Sequence, residues 1–285
     1  MKQIFLPINS LIRLSIYDFG VKGPPIIFCH FTGGLGKLWK NVITPLRNNY
    51  HCFAFDARGH GDSSKPLEMK YYDWNEHLSD LIAVVKYIKK LSNSDCIFGV
   101  GHSFGSACLS QAVIKTKKYI SWKKIILIEP ILGPDTFDFR KSKMSEIAQK
   151  RRGYFESEKQ IDTILRNKQP YRNWDIESWN IFKECGFTTN ASGKYYLKCT
   201  PEIESYQYLY GNPLGWFEQL KKIDIPVLLI YGKNSELLPL GIYQLEQIKN
   251  SYLMKIPEVG HFFPQEKPSF LANIIKNWFS FENNC

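Results

Sequence analysis

The stretch that most constrains this chain is Gly101-His102-Ser103-Phe104-Gly105. It follows an apolar run, Cys96-Ile97-Phe98-Gly99-Val100, and precedes a segment of helical character, Ser106–Ile114. A strand, Gly-x-Ser-x-Gly and a helix in succession are what a nucleophile elbow requires. The turn is so tight that side chains two before and two after the serine would collide with neighbouring backbone, and glycine at both places removes the obstacle. The hydroxyl then projects beyond the sheet, and the helix N-terminus behind it offers free N–H groups where an oxyanion could form. The pentapeptide alone also fits a glycine-rich turn with an idle serine. A base, an orienting acid and a second oxyanion donor elsewhere in the chain would decide for chemistry.

Bulk properties exclude several classes. A chain of 285 residues accommodates one large α/β domain or two small ones. No apolar run approaches the ~20 residues of a membrane span, and Met1–Ser10 is too short and too interrupted by Pro7 for a secretory signal. Seven cysteines (29, 52, 96, 108, 185, 199 and 285) form an odd set without metal-ligand spacing. The expectation is reduced thiols in a cytoplasmic protein, with no metal and no cofactor. The net charge of +10 is dispersed, with Lys-Lys pairs recurring singly at 89–90, 117–118, 123–124 and 221–222. A scattered basic surface is ordinarily solvated, and no nucleic-acid motif accompanies it. No nucleic-acid partner and no stable membrane insertion are expected, and a homo-oligomer stays open.

Taken in order, the chain alternates strands and helices. Residues 3–17 read as a β-hairpin, with Ile12-x-Leu14-x-Ile16 at period two, followed by a turn at Gly20–Pro25. Ile26–Cys29 is a buried-strand run that ends in His30-Phe31-Thr32-Gly33-Gly34, a loop whose glycines let backbone approach a ligand. Leu38, Trp39, Val42, Ile43 and Leu46 make a helical stripe. His51–Phe55 is the next strand, and Asp56–Pro66 is a polar turn in which Asp56 and Arg58 could pair and Asp62 or Ser63 could bind amides. His60 in this loop is favoured as structural. Trp74–Leu91 is an amphipathic helix. After the pentapeptide, Lys124–Pro130 is a strand closing on Glu129.

From Ile131 the alternation stops for about ninety residues rich in Trp, Tyr and Phe, among them Phe137 and Phe139. Ser142–Arg152 and Ser157–Arg166 read as helices and Asn190–Lys194 as a turn. The segment reads as a mostly helical lid whose aromatics largely form its own small core. Strand character returns at Pro226–Tyr231 and Tyr252–Ile256, with helices near Tyr243–Lys249 and Pro268–Phe279. Such alternation implies a mostly parallel sheet covered on both faces, with chemistry at the carboxyl ends of its strands. His30, Asp56, Ser103, Glu129, Glu236 and His261 all lie just past strand ends.

A serine hydroxyl needs a base, and the base needs a partner that fixes its tautomer and stabilises the imidazolium. His261 is the best base, since it follows Gly260 after the last strand with Phe262 and Phe263 beside it. His30 and His102 are better suited to bracing. His51 opens a strand and His77 lies on a helix. The order nucleophile, acid, histidine fits an α/β-hydrolase. His30-Phe31-Thr32-Gly33, Arg58-Gly59-His60-Gly61-Asp62-Ser63, Gly101-His102-Ser103-Phe104-Gly105 and Gly260-His261 resemble the successive motifs of the α/β-hydrolase superfamily, in its cap-bearing serine hydrolase group.

The resemblance implies an α/β-hydrolase fold: an eight-stranded, mostly parallel sheet with helices on both faces, a core of residues 1–130 and 221–285, and a helical lid of residues 131–220. It implies an oxyanion hole from the backbone N–H groups of Phe104 and Thr32, with Phe31 the alternative because it stands where the family usually has Gly. The usual place of the acid, three residues past the glycine ending strand seven, is Ser235 here. Some members carry the acid directly after strand six, which is Glu129. Glu129 is therefore preferred and Glu236 is the alternative. Ser103 argues against the epoxide hydrolases and dehalogenases of this fold, which use an Asp nucleophile. The expected function is that of a carboxylesterase-like serine hydrolase acting on an ester or related acyl bond of a small to medium apolar molecule. The alternatives are a C–C bond hydrolase or thioesterase with the same triad, and a non-catalytic small-ligand binder.

Overall fold

Continuous apolar runs bounded by turns become strands buried on both faces. A computed structural model describes residues 1–20, 23–94, 96–134, 136, 143–211 and 213–280. Eight strands make the main sheet: β1 (Lys2–Pro7), β2 (Arg13–Asp18), β3 (Pro25–Cys29), β4 (His51–Phe55), β5 (Cys96–His102), β6 (Ser121–Ile128), β10 (Val227–Gly232) and β11 (Ser251–Ile256). Their order is β1-β2-β4-β3-β5-β6-β10-β11. β1, β2 and β4 pair antiparallel, and from β4 to β11 every pairing is parallel.

The period of two sorts each strand between two cores. Ile27, Phe53, Ile125 and Leu229 enter the cluster built with the Trp74–Ser92 and Phe104–Thr116 helices. Ile26, Cys52, Ile126 and Leu228 enter the opposite cluster, closed by the Pro268–Phe279 helix. Each fully buried apolar side chain contributes roughly 1.5–3 kcal/mol relative to exposure. The carboxyl edge of the sheet is thus held from both sides.

Between β6 and β10 the described residues add no strand to this sheet. The described part of that insertion is less helical than its sequence suggests. Met144–Lys150, Glu158–Ile161, Ile176–Cys185 and Pro201–Leu209 are α-helical. β7 (Tyr154–Phe155), β8 (Phe187–Thr189) and β9 (Tyr195–Leu197) add a three-stranded antiparallel sheet, with the Asn190–Lys194 turn joining β8 to β9. Nor do the aromatics pack among themselves alone. Phe155, Trp174, Trp179 and Phe182 share a cluster with Phe31, Leu35 and Leu38, from the segment after β3. Trp216 and Phe217 join the main core instead. Phe137, Phe139 and Ser142 lie outside the described residues. Two other expectations change. The Leu38–Leu46 stripe is a chain of short 3-10 and α turns. Cys29, Cys52, Cys108, Cys185 and Cys199 are free thiols, but Cys96 is disulfide-bonded. Among the described residues, no helix is long and apolar enough to cross a membrane.

The polar turn after β4 is braced differently from the pairing its sequence suggests. Arg58 turns away from Asp56 and makes two 2.7 Å bonds to Asp80 of the Trp74–Ser92 helix, from Nε and Nη2. Asp56 instead accepts from Tyr17 and from the amides of Gly36 and Asp62. Ser63 accepts from the Ser15 amide, while Asp62 pairs with lysines. Arg58 and Asp80 are 2% and 1% exposed, so removing one partner strands a buried charge. Asp80→Ala is expected to cost about 3–5 kcal/mol in urea unfolding. A loss below about 1 kcal/mol would mean that the guanidinium is solvated after all.

Candidate active site

The Gly101–Gly105 turn sits where β5 meets the Phe104–Thr116 helix. Ser103 adopts φ 57, ψ −120, a conformation that L residues avoid and that surrounding structure must enforce. The two glycines show how. A Cβ on Gly101 would lie 2.6 Å from Ser106 Cα, and one on Gly105 would lie 2.5 Å from the Cys29 and His30 carbonyl oxygens. The elbow therefore packs directly on the end of β3.

Three side chains converge at this edge. His261, in the loop after β11, places Nε2 3.0 Å from Ser103 Oγ and Nδ1 2.8 Å from Glu129 Oε2. A carboxylate only accepts, so Nδ1–H donates to it and Nε2 presents its lone pair to the serine hydroxyl. Glu129 is fully buried and follows β6 with φ 48, the second strained non-glycine residue at the site. Its Oε1 accepts from the Gly232 amide at 2.8 Å and its Oε2 also accepts from Ser235 Oγ at 2.5 Å. Glu236 is exposed to solvent and is not brought to His261.

The loop after β3 is fixed by two neutral histidines. The Ala57 amide donates to His30 Nε2 at 3.0 Å, so His30 Nδ1–H donates to the Phe31 carbonyl at 2.7 Å. The Gly33 amide donates to His60 Nε2, so His60 Nδ1–H donates to the Arg58 carbonyl. His102 Nε2–H donates to the His261 carbonyl at 2.7 Å. The Phe31 ring, standing where a glycine is usual, packs 5.1 Å from both His102 and Phe262 and 6.0 Å from Trp174 of the insertion. Ser103 beneath is 2% exposed.

A sequence profile of the alpha/beta hydrolase fold matches residues 24–268. The chain belongs to the alpha/beta-hydrolase family. Among curated relatives it is similar to 2-(acetamidomethylene)succinate hydrolase of Mesorhizobium japonicum, at 22% identity over 94% of this chain and 91% of that protein. It is also similar to epoxide hydrolase 1 of Caenorhabditis elegans, at 21% identity over 94% of this chain and 68% of that one. Among solved structures, E-2-(acetamidomethylene)succinate hydrolase superposes with a TM-score of 0.80 at 18% identity, covering 98% of this chain and 100% of the other. A thioesterase domain from the curacin biosynthetic pathway gives the same score at 22% identity, covering 97% and 99%. These structural likenesses establish the fold, and the named relatives are hydrolases of differing bonds.

In this alpha/beta-hydrolase the insertion is tied to the loop after β4 and to the Trp74–Ser92 helix. Lys198 Nζ lies 2.6 Å from Asp62 Oδ1, and Lys37 Nζ lies 3.3 Å from Asp62 Oδ2. Burial alone would raise the Asp62 carboxyl, but the two ammonium groups outweigh it and hold it well below the usual carboxylate range. Gln207 of the insertion donates to His77, and its carbonyl accepts from Trp74 Nε1. Sequence reasoning missed Lys198, Gln207 and the Ser235 contact. The first two carry no local signal, and Ser235 was legible only as the place where an Asp is lacking.

Burial sets the charge of four histidines. His30, His60, His77 and His102 are all pushed below the ordinary imidazole value by desolvation. Below about pH 6.5 the unfolded chain protonates these rings and the folded protein does not. Unfolding then takes up protons, so stability is present above that pH and falls as pH drops through it. The urea midpoint is expected to fall between about pH 7.5 and 5.5, as the unfolding free energy drops by at most about 1.4 kcal/mol per pH unit per histidine. A flat midpoint over that range would show that the rings take up protons alike in the folded and unfolded chain.

Proposed function

We propose that this alpha/beta-hydrolase is a serine hydrolase that cleaves an ester or related acyl bond through an acyl-enzyme. The observation that carries the reading is the single imidazole of His261, bonded at Nε2 to Ser103 Oγ and at Nδ1 to a buried carboxylate. In the first step Ser103 Oγ attacks the acyl carbon while His261 Nε2 takes its proton. Glu129 stabilises the resulting imidazolium and does not itself take the proton. The imidazolium then protonates the leaving alcohol. Water, deprotonated by the same nitrogen, releases the acid and regenerates the serine.

The tetrahedral oxyanion needs preorganised donors. Phe104 is the first residue of its helix, so its N–H has no intrahelical acceptor. Two observations favour Thr32 over Phe31 as the second. The His30 carbonyl packs against Gly105, which turns the Phe31 N–H of that trans peptide away from the elbow. The Phe31 carbonyl is taken by His30 and by the Gly34 amide, which leaves the Thr32 N–H on the opposite side of its own peptide.

Residues 131–220 serve in this reading as the lid. Trp174, Phe31 and Phe262 pack on one another, with Phe262 edge-on to the His261 imidazole, and this aromatic cluster favours an apolar acyl or alcohol group of small to medium size. The lack of an Asp at position 235 is the feature that would suit a ligand binder without chemistry. The Glu129 carboxylate bonded to His261 speaks for the enzyme.

Turnover of p-nitrophenyl esters tests the reading directly. Ser103→Ala is expected to abolish turnover and fluorophosphonate labelling. Glu129→Gln is expected to lower kcat by about 10³–10⁴-fold, as loss of the orienting carboxylate does in serine triads, while Glu236→Gln stays within about twofold of wild type. Equal rates for wild type and Ser103→Ala would refute the enzyme, and loss in Glu236→Gln rather than Glu129→Gln would reassign the acid.

A further inference from the structure

We propose that Ser235 is a positioning residue that acts on Ser103 through Glu129 and His261, an inference that rests on the serine-hydrolase reading above. Among the described residues Ser235 makes no hydrogen bond to His261 or Ser103; its hydroxyl donates to the acid. The Glu129 carboxylate is fully buried, so protein donors rather than bulk solvent set its plane. The Gly232 amide fixes Oε1 at 2.8 Å. One donor leaves a glutamate free to rotate about its last bond, because that torsion is broad. The Ser235 hydroxyl supplies the second fixed point, 2.5 Å from Oε2, the same oxygen that receives His261 Nδ1–H at 2.8 Å. With both oxygens held, the lone pair left on Oε2 is aimed at the imidazole.

The hydroxyl is itself aimed. Ser235 Oγ accepts from the Leu237 amide at 3.2 Å, which occupies a lone pair and leaves its proton for the carboxylate. The Ser235 amide donates to the Gly232 carbonyl at 3.1 Å, and the Leu238 amide donates to the Ser235 carbonyl at 3.2 Å. Gly232 and Ser235 therefore belong to one closed turn at the end of β10, and their two donors reach the carboxylate as a single rigid fork. A serine that only closed this turn would need its oxygen for Leu237 and would have no use for its proton. The short bond to Glu129 accounts for that proton. Glutamate is long enough to cross from β6 to this fork, and an acid placed on the fork itself would have no need of it.

The decisive measurement is a double-mutant cycle in the full-length protein, read as p-nitrophenyl ester kinetics and as the rate at which a fluorophosphonate labels Ser103. Ser235→Ala is expected to lower kcat and the labelling rate by roughly ten- to a hundredfold, the range for a hydrogen bond to a charged group, with KM within about twofold. Ser235→Thr, which keeps the hydroxyl, is expected to stay within about threefold of wild type. In a Glu129→Gln background, Ser235→Ala is expected to add less than about twofold, because the group it positions is already gone. Should Ser235→Ala fail to fold, Ser235→Cys keeps the volume and offers only a weak donor, and it reads the same loss. The same fold-loss in both backgrounds, or a change confined to KM, would overturn the positioning role. Wild-type protein that the fluorophosphonate does not label would overturn the serine-hydrolase reading itself, which separates the two failures.

Discussion

The feature on which the site depends is a buried carboxylate that, among the described residues, has no lysine or arginine paired with it. Glu129 is wholly shielded from water, and the desolvation of such a group costs several kcal/mol unless donors replace its hydration. Three do: the Gly232 amide, the Ser235 hydroxyl and His261 Nδ1–H. Two of these come from the end of β10 and the turn after it and the third from the loop after β11, while Glu129 itself follows β6. The site therefore requires β6, β10 and β11 in fixed register. The parallel pairs Ile128↔Ile230 and Gly232↔Ile256 provide it. In the proposed mechanism the charge becomes most favourable when His261 turns cationic, so the same desolvation that opposes folding supports the transition state.

Strain is concentrated at the same edge. Ser103 and Glu129 both hold positive φ, and they follow adjacent strands whose register ends with His102 opposite Ile128. Each such residue costs on the order of 1–3 kcal/mol. The two hydrophobic layers of the sheet bury dozens of side chains worth roughly 1.5–3 kcal/mol each, so the core absorbs the distortion easily. A further backbone link, from the Ser103 amide to the Ile128 carbonyl at 2.8 Å, ties the two strained positions together. Neither residue can relax without moving the other.

Much of this was legible in the sequence, for definite reasons. Runs such as Ile26–Cys29 and Val227–Tyr231 announce doubly buried strands because every residue must be apolar, whichever face it takes. The glycines at 101 and 105 are legible because local sterics alone demand them. What stayed hidden depends on distant partners. Arg58 looked destined for Asp56, two residues away, but its bidentate partner is Asp80 on a helix twenty-two residues further on. The small sheet of β7, β8 and β9 rests on strands of two and three residues, too short for any periodicity to emerge. The competition between Glu129 and Glu236 could not be resolved by spacing, because both follow strand ends. Burial and hydrogen bonding separate them in space, one enclosed at the sheet edge and the other in solvent.

The other histidines differ from the imidazole to which the proposed mechanism gives the proton. His30, His60 and His102 each spend a ring nitrogen on a backbone carbonyl, and His30 and His60 spend the second on a backbone amide. Buried and held neutral, they act as rigid spacers that shape the loops after β3 and β4 and the approach to His261. Only His261 combines a carboxylate at one nitrogen with a hydroxyl at the other and keeps 23% of its side chain exposed. A proton carrier needs a partner on each side and a route for the leaving group and water. His30 and His60, by giving both nitrogens to the backbone, leave the proposed proton transfer to His261.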